Sequence, residues 1–363
     1  MSSEVDHRYA VILAGGRGTR LWPISTTQQP KQFQALGDSR PLIAQTFDRL
    51  AACVQEANIF VSTTAGYAND VLASLPRLNP HNLILEPRPE GKPAAFLLIA
   101  TRIYGEDPEA VVLSAAADSS VSPLEAFERS CAEAFTFVEA HPSWTTILGS
   151  TPTRPDSSLG YVRANGAAMG VKGIHVLRDF HEKPTRESAE SFYSDSEYFW
   201  NSSHYCFSAS TFRESYKQAA PELFGAINSF YESGRDSDYV NKNGPTHELL
   251  PLVDAGWPIG VVACDFRWYD IGTWPSLYRA LADSQGTKLI ASGSTVDSES
   301  ESVLIVNDSS LTVVTTGLEG LAVIVSDSVV LVAPIAKLED HPETLTYLQN
   351  QVDNLLQVDG KNT

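Results

Sequence analysis

Hydrophobic residues in the first half of the chain follow two alternating patterns. Short apolar runs, typical of buried strands, are separated by longer stretches in which apolar residues recur at helical spacing. Ile43, Phe47, Leu50 and Val54 show this helical spacing in one such stretch. Strands that alternate with helices predict a parallel sheet in a doubly wound α/β domain. We expect its strands at residues 9–14, 58–63, 82–85, 110–114 and 145–149.

The pattern becomes less regular between residues 151 and 270, where we predict strands at residues 174–180 and 199–207 and a helix from Ala209. Residues 284–302 are rich in serine and acidic side chains, which is typical of a linker or of exposed turns. Short β-rich runs and a terminal helix follow. The predicted runs are residues 303–306, 311–315, 321–325 and 329–332, and the predicted helix is residues 342–356.

These patterns predict three parts. Residues 1–8 form an N-terminal tail, residues 9–284 form the main α/β domain, and residues 285–363 form a small β-rich C-terminal domain with a terminal helix. A length of 363 residues is typical of a large domain with a smaller one attached.

Composition and charge narrow the class of protein. With 43% hydrophobic and 19% charged residues, the chain has the composition of a soluble globular protein. A net charge of −18 disfavours a nucleic-acid or anionic-membrane surface, because those partners require clustered lysine and arginine. Any phosphate-binding site must therefore depend on a local group of basic residues in an acidic chain. The sequence leaves open whether the chain forms a homodimer.

The sequence also predicts a cytoplasmic location. The first ten residues include acidic side chains and no apolar run, so they lack the features of a secretory signal. No apolar run reaches the roughly 20 residues of a membrane helix. The four cysteines are scattered without a CxxC pair, which favours reduced thiols over disulfides or zinc ligands.

The strongest chemical signal directly follows the first predicted strand. Glycines there expose backbone N–H groups to a triphosphate, while Arg20 and Lys31 supply positive charge. A P-loop would require GxxxxGK[ST], and a dinucleotide fingerprint would require glycine where Leu21 stands. We therefore interpret the segment as a phosphate-binding loop of a different kind. It reads GGRGTRLWP over residues 15–23 and is followed by PKQF over residues 30–33.

Together with four later motifs, this segment resembles the mannose-1-phosphate guanylyltransferases of the sugar nucleotidyltransferase superfamily. GGxGTRLWPxS followed by PKQF is the signature of that family, and the later motifs follow in the family's order. They are TPTRP with GYV at residues 151–162, HEKP at 181–184, WNSS at 200–203 and WYDIGTW at 268–274. The family analogues of the last three are FVEKP, WNSG and WSDVGSW. The resemblance implies a Rossmann-like, GT-A-like nucleotidyltransferase domain with a small β-rich C-terminal domain.

The implied reaction joins GTP to mannose 1-phosphate, or to a close sugar 1-phosphate, with release of pyrophosphate. The nucleophile is a phosphate oxygen, so the site needs cations, backbone donors and Mg²⁺ rather than a nucleophilic side chain. The resemblance assigns catalytic roles to Arg20, Lys31 and Lys183 and Mg²⁺ binding to Asp118 and Asp270. It assigns nucleotide binding to Gly15, Gly16, Gly18, Thr19 and Glu86, and sugar binding to Gly160, Glu182 and Asn201.

Some positions depart from the family pattern. The family's EPxxRNTAPA, which contacts the guanine base, is EPRPEGKPAA here at residues 86–95, so base preference stays open. Asp118 lacks the proline and histidine of the family's LPxDH. His181 and His204 adjoin site motifs, and we expect an ordinary polar or packing role for each. The alternatives are the same chemistry with another nucleoside triphosphate or phosphorylated substrate, and a catalytically degenerate regulatory subunit.

Overall fold

The computed structural model describes residues 6–16, 18–26, 28–242, 244–341 and 343–359. Residues 1–5 of the predicted tail, Arg17 of the glycine-rich loop and Pro342 of the predicted terminal helix lie outside the described part. None of the helices within it combines the length and apolar character needed to cross a bilayer.

The described elements alternate as the sequence predicts in the first half of the chain. The strands are β1 Arg8–Leu13, β2 Ile59–Thr64, β3 Leu83–Glu86, β4 Val111–Ala116, β5 Ser119–Ser122, β6 Thr145–Ser150, β7 Tyr161–Ala167, β8 Ile174–His181, β9 Tyr198–Ser208, β10 Ile259–Cys264, β11 Arg267–Asp270, β12 Leu289–Ser292, β13 Thr295–Ser298, β14 Val303–Asp308, β15 Val313–Thr316, β16 Leu321–Ser326 and β17 Val330–Pro334. The helices are α1 Leu42–Ala51, α2 Ala68–Ser74, α3 Lys92–Glu106, α4 Leu124–Ala140, α5 Arg186–Tyr193, α6 Ala209–Ala219, α7 Pro221–Ser233, α8 Leu250–Asp254, α9 Trp274–Gln285, α10 Ile335–Asp340 and α11 Glu343–Asp359. The five strands predicted first are confirmed to within one or two residues.

The chain divides into two compact units. The first comprises the described residues of Met1–Gly15, Ile43–Ala117 and Val121–Trp268. The second comprises those of Gly16–Leu42, Asp118–Ser120 and Tyr269–Thr363. That residues 285–363 fold as a domain of their own stays a prediction.

The first unit is built on one nine-stranded sheet, in the order β3-β2-β1-β4-β9-β6-β10-β8-β7. Strands β3, β2, β1 and β4 are parallel, as the alternating pattern predicts. Strand β9, however, lies antiparallel between β4 and β6. Because β6 is antiparallel to β9 in turn, it runs in the same direction as β4, so the five strands predicted first are all parallel to one another. The antiparallel insertion of β9 leaves no mark on the hydrophobic period of a buried strand.

Buried apolar side chains stabilise the first unit. The core includes Val11, Phe96, Phe207 and Phe212, and helix α3 packs against α6 and α7. Helix α4 packs against β4, β6, β9 and β10. The carboxyl ends of β1 and β3, where ligands bind in doubly wound sheets, lead directly to Gly15 and to the loop after Glu86.

The second unit has its own core and a parallel β arrangement. Strands β12, β14 and β16 pair in parallel, with β17 antiparallel at the edge, and β13 pairs in parallel with β15. Leu21, Trp22 and Trp274 share one buried cluster with Leu304 and Ile324. The segment after β1 thus packs with the C-terminal strands.

The prediction of a linker at residues 284–302 is wrong for part of that range. Strands β12 and β13 lie within it, held by the pairs Leu289↔Val303 and Thr295↔Val313. Their serine-rich composition is typical of loops, and their partners lie at least 14 residues along the chain. The strand structure therefore depends on pairing that local composition does not reveal.

Candidate active site

The glycine-rich loop follows β1 and passes close to Lys31. Gly18 has φ +57°, and a Cβ placed on it would lie 2.6 Å from Lys31 Cγ and 2.9 Å from the Lys31 backbone nitrogen. Glycine is therefore required there for both conformation and space. The Gln32 side-chain amide donates to the Gly16 carbonyl at 2.9 Å, which ties the PKQF segment to the loop. The side chain of Thr19 lies outside the described part.

Two aspartates from distant parts of the sequence converge on the ammonium group of Lys31. Lys31 Nζ lies 2.5 Å from Asp118 Oδ2 and 3.7 Å from Asp270 Oδ1, and it donates to the Ile271 carbonyl at 3.0 Å. The Ile271 N–H donates to the Asp118 carbonyl at 3.1 Å, which holds the two acidic segments side by side. The lysine side chain is only 8% exposed. We call Lys31, Asp118 and Asp270 the charge cluster.

Arg20 extends the charge cluster toward solvent. Its guanidinium lies 4.0 Å from Asp270 Oδ2, and its side chain is 62% exposed. A Cβ on Gly272 would lie 3.0 Å from Asp270 Oδ2 and 3.1 Å from Arg20 Nη2. The glycine of the WYDIGTW motif therefore makes room for both charged groups.

Asp118 and Asp270 are the residues of the charge cluster that could hold a Mg²⁺ ion. Within the described ranges, no three histidine, cysteine or acidic side chains gather as a metal site. Mg²⁺ usually takes one or two carboxylates and completes its octahedron with water and substrate phosphates. Asp118 and Asp270 are 23% and 37% exposed, so two carboxylates face one small region and remain reachable from solvent.

Glu86 ends β3 and is buried. It accepts hydrogen bonds from the Tyr239 hydroxyl at 2.6 Å and the Ser62 hydroxyl at 3.4 Å. Burial raises the pKa of Glu86 above its usual range. A Cβ on Gly15 would lie 3.6 Å from Glu86 Oε1, so this carboxyl group borders the start of the glycine-rich loop.

The loop that departs from the family pattern is tied to residues 236–241. The Arg88 guanidinium binds Glu90 at 2.6 Å, the Asp236 carbonyl at 2.8 Å and the Tyr239 carbonyl. The Asn241 N–H donates to Glu90 Oε2 at 3.2 Å. Arg88 and Glu90 thus hold the loop to its neighbouring segment, which the sequence did not indicate.

Three predicted sugar-binding residues meet at one point. A Cβ on Gly160 would lie 2.7 Å from Glu182 Oε2 and 3.5 Å from Asn201 Cβ. The Asn201 N–H donates to the Gly160 carbonyl at 2.8 Å, so β9 holds the asparagine beside the glycine. Lys183 follows Glu182 with φ +47° and is exposed. The structure therefore brings Glu182 and Asn201 together around Gly160, where the absence of a side chain leaves space.

The histidines near these motifs pack against aromatic rings. His204 is fully buried, its ring centroid lies 5.4 Å from that of Phe127, and burial lowers its pKa to about 3. The His181 ring lies 4.7 Å from that of Phe192. The expected packing roles are consistent with these contacts.

A buried polar group that sequence reasoning missed lies beside Asn201. The Asn201 amide donates to the Tyr205 hydroxyl at 3.0 Å, and Glu248 is 1% exposed. Lys92 Nζ lies 3.6 Å from Glu248 Oε1, and His247 Nε2 lies 3.9 Å from Glu248 Oε2. No motif contains Tyr205 or Glu248, and their separation in sequence gave no signal.

Comparison with known proteins places these features in a family context. A model of the nucleotidyl transferase family matches residues 9–286. Mannose-1-phosphate guanylyltransferase of Escherichia coli is 31% identical over 341 residues, which cover 89% of this chain and 72% of that protein. The alginate biosynthesis protein AlgA of Pseudomonas fluorescens is 28% identical over 351 residues, covering 94% of this chain and 72% of that protein.

A solved structure is similar over nearly the whole chain. Mannose-1-phosphate geranyltransferase from Thermus thermophilus has a TM-score of 0.82 and 25% sequence identity, and the match covers 95% of this chain and 100% of that one. The similarity extends past residue 286, so it includes the β-rich C-terminal strands.

Proposed function

The chain belongs to the nucleotidyl transferase family and is a sugar-1-phosphate nucleotidyltransferase, and we propose that its substrates are GTP and mannose 1-phosphate or a close sugar 1-phosphate. The products are then a GDP-sugar and pyrophosphate. The observation that carries this choice of substrates is the 31% identity to a relative named mannose-1-phosphate guanylyltransferase. The charge cluster and the Gly160–Glu182–Asn201 group are consistent with it.

The reaction needs no nucleophilic side chain. A phosphomonoester has a second pKa of about 6, so the sugar phosphate is largely ionised near neutral pH. One of its oxygens attacks the α-phosphorus, a new P–O bond forms, and the bond to the β-phosphate oxygen breaks to release pyrophosphate. Catalysis then consists of holding the two phosphates in line and stabilising the added negative charge.

We assign the stabilising charges to three cations. Arg20 is 62% exposed beside the charge cluster and is suited to bind the triphosphate. Lys31 holds Asp118 and Asp270 in place and adds positive charge beside the glycine-rich loop. Lys183 is exposed beside Glu182, where we propose that it binds the sugar phosphate.

We propose that Asp118 and Asp270 hold Mg²⁺. The ion, when bound, would draw negative charge from the phosphate oxygens. The residues of the chain supply the rest. Backbone N–H groups of the glycine-rich loop contact the triphosphate, while Glu182 and Asn201 hold the sugar next to Gly160.

The test is a panel of nucleoside triphosphates against sugar 1-phosphates, with pyrophosphate release as the readout. We expect turnover with GTP and mannose 1-phosphate that requires Mg²⁺. Turnover only with another pair of substrates would refute the assignment of GTP and mannose. Absence of turnover with every pair, in folded protein, would favour a regulatory subunit.

A second candidate is the same reaction with a different nucleoside triphosphate. The observation that favours it is the loop after Glu86, where residues 90–92 replace the arginine, asparagine and threonine of the family pattern. Arg88 does not compensate in a simple way, because its guanidinium is bound to Glu90 and to two carbonyls of the neighbouring segment. The same panel decides between the two candidates.

A further inference from the structure

Both polar ends of the Asn201 side chain have protein partners. Oδ1 accepts from the Ser203 N–H at 3.0 Å, and Nδ2 donates to the Tyr205 hydroxyl oxygen at 3.0 Å. A side-chain amide has two N–H donors, so one donor remains for a ligand. In this orientation Asn201 offers a substrate a donor rather than an acceptor.

An irregularity in β9 makes this arrangement possible. Between the pairs Ile147↔Tyr205 and Gly149↔Asn201, β6 advances two residues while β9 advances four. Ser203 lies within the bulge at φ +57°, a region that favours glycine. The bulge shortens the distance along the strand between Asn201 and Tyr205, so the tyrosine hydroxyl reaches the amide.

The Tyr205 hydroxyl can donate one hydrogen bond, and Asn201 is not its acceptor. Because the hydroxyl already accepts from Asn201 Nδ2, its own proton is free to go to a different acceptor. Glu248 is a buried acidic residue whose charge acts on this hydroxyl. Burial, followed by the charge of Glu248, raises the pKa of Tyr205 well above its usual range, so the hydroxyl keeps its proton.

Glu248 is placed to act as a fixed acceptor. Its side chain is 1% exposed, and among the described residues its Oε1 has no hydrogen-bond donor. The Lys92 ammonium at 3.6 Å compensates its charge from the loop that departs from the family pattern. His247 is the other basic neighbour, and burial lowers its pKa, which leaves Lys92 as the cationic group. The Tyr216 hydroxyl donates to the Glu248 backbone carbonyl at 3.0 Å and not to the Glu248 carboxylate.

We propose that Tyr205 and Glu248 are positioning residues that fix the amide orientation of Asn201 and thereby set which sugar hydroxyl the site selects. This inference rests on the proposed function of Asn201 in sugar binding. Asn201 donates to Tyr205, and we infer that the tyrosine proton is directed to Glu248. The reverse order would require the asparagine carbonyl to face Tyr205, whereas it accepts from the Ser203 N–H. With the order as it stands, Asn201 donates to a hydroxyl oxygen while Glu182, 2.7 Å from the Gly160 Cβ position, accepts a hydroxyl proton.

The test compares Tyr205→Phe and Glu248→Gln with Tyr216→Phe as the matched control. Tyr216 is also fully buried, but its hydroxyl contacts the Glu248 backbone and not the amide of Asn201. We expect Tyr205→Phe to raise KM for the sugar 1-phosphate about threefold to tenfold, the effect of one neutral hydrogen bond, with KM for the nucleotide unchanged. Tyr216→Phe is expected to leave both KM values within about twofold of wild type.

A double-mutant cycle separates positioning from a general structural effect. In an Asn201→Ala background, Tyr205→Phe has no amide to position, so its effect on KM should fall below about twofold. An unchanged KM in Tyr205→Phe, or an equal effect in both backgrounds, overturns the proposal. So does an equal effect of Tyr216→Phe.

A second readout does not depend on turnover, so it distinguishes failure of this inference from failure of the proposed function. In protein labelled with ¹⁵N-asparagine, the Asn201 side-chain amide is the signal lost in Asn201→Ala. We expect it to shift in Tyr205→Phe and in Glu248→Gln and to stay in place in Tyr216→Phe. An amide signal that does not shift in Tyr205→Phe or in Glu248→Gln overturns the positioning role even if the enzyme is active on some other substrate.

Discussion

Replacement of Lys31 by methionine tests the charge cluster most directly. Methionine keeps an unbranched apolar stem beside Gly18 and removes only the charge and its donors. The ammonium contacts two carboxylates at 2.5 and 3.7 Å and a carbonyl at 3.0 Å. A unit charge pair at 4 Å is worth about 4 kcal/mol at an effective dielectric of about 20. Because Asp118 and Asp270 are partly exposed, we expect the unfolding free energy to fall by only about 2 to 3 kcal/mol.

The expected loss of activity is easier to measure than the loss of stability. Removal of one preorganised charge donor typically costs about a hundredfold or more in kcat, which corresponds to about 2.7 kcal/mol. Lys31→Met should also lower the Mg²⁺ concentration needed for half-maximal rate, because two carboxylates are left without their ammonium partner. The assay is steady-state pyrophosphate release at a series of Mg²⁺ concentrations, beside thermal unfolding of the same samples.

Two controls separate charge from packing. Lys31→Arg keeps the positive charge and is expected to retain more activity than Lys31→Met. Lys217→Met removes a lysine that is 60% exposed and paired with Glu214 at 3.6 Å, and no change in rate is expected. A near-normal rate in folded Lys31→Met would show that the charge cluster does not serve the reaction.

Three further outcomes follow from local geometry. Gly18→Ala should lower the free energy of unfolding by at least about 1 to 2 kcal/mol, because φ +57° and contact with Lys31 both oppose a Cβ. Gly16→Ala is the control, since its Cβ would meet no described atom within 4 Å. Ser203→Gly should leave the free energy of unfolding unchanged or raise it by up to about 1 kcal/mol, since glycine adopts a positive φ without strain. Chemical denaturation measures the glycine and serine variants alike, and a marked loss of stability in Ser203→Gly would refute the argument. GTP should lead ATP by no more than about a hundredfold in kcat/KM, because residues 90–92 are not the arginine, asparagine and threonine expected at the base edge. Each neutral hydrogen bond lost in this way is worth about 0.5 to 1.5 kcal/mol. A preference above about ten-thousandfold would show that other groups recognise guanine.

Local signals in the sequence were sufficient for the first half of the fold. Strand β1 is bounded by a glycine-rich segment, and the helical spacing from Ile43 onward corresponds to α1. The antiparallel placement of β9 was not predictable in this way, since side chains of a strand that is buried on both faces show the same pattern whichever direction the strand runs. Strands β12 and β13 were missed because their stability comes from partners in β14 and β15.

In the candidate site, too, the residues inside sequence motifs were predictable and the residues outside them were not. Residues that lie inside ordered motifs, such as Gly160, Glu182 and Asn201, were found because the motifs are specific, and the structure brings these three together. Tyr205 and Glu248 lie in no motif, and what connects them to the site is a bulge in β9 and contacts across dozens of residues. Such contacts appear only when the chain is folded.

The charge balance of the cluster links the overall acidity of the chain to its proposed need for Mg²⁺. Arg20 and Lys31 contribute two positive charges, and Asp118 and Asp270 contribute two negative charges, so these four side chains together are neutral. A triphosphate brings several further negative charges into a chain whose net charge is already −18. Because Arg20 and Lys31 are both paired with carboxylates, the positive charge that they offer a triphosphate is reduced, and Lys183 adds only one further charge. The Mg²⁺ ion that we propose for Asp118 and Asp270 would supply the additional positive charge.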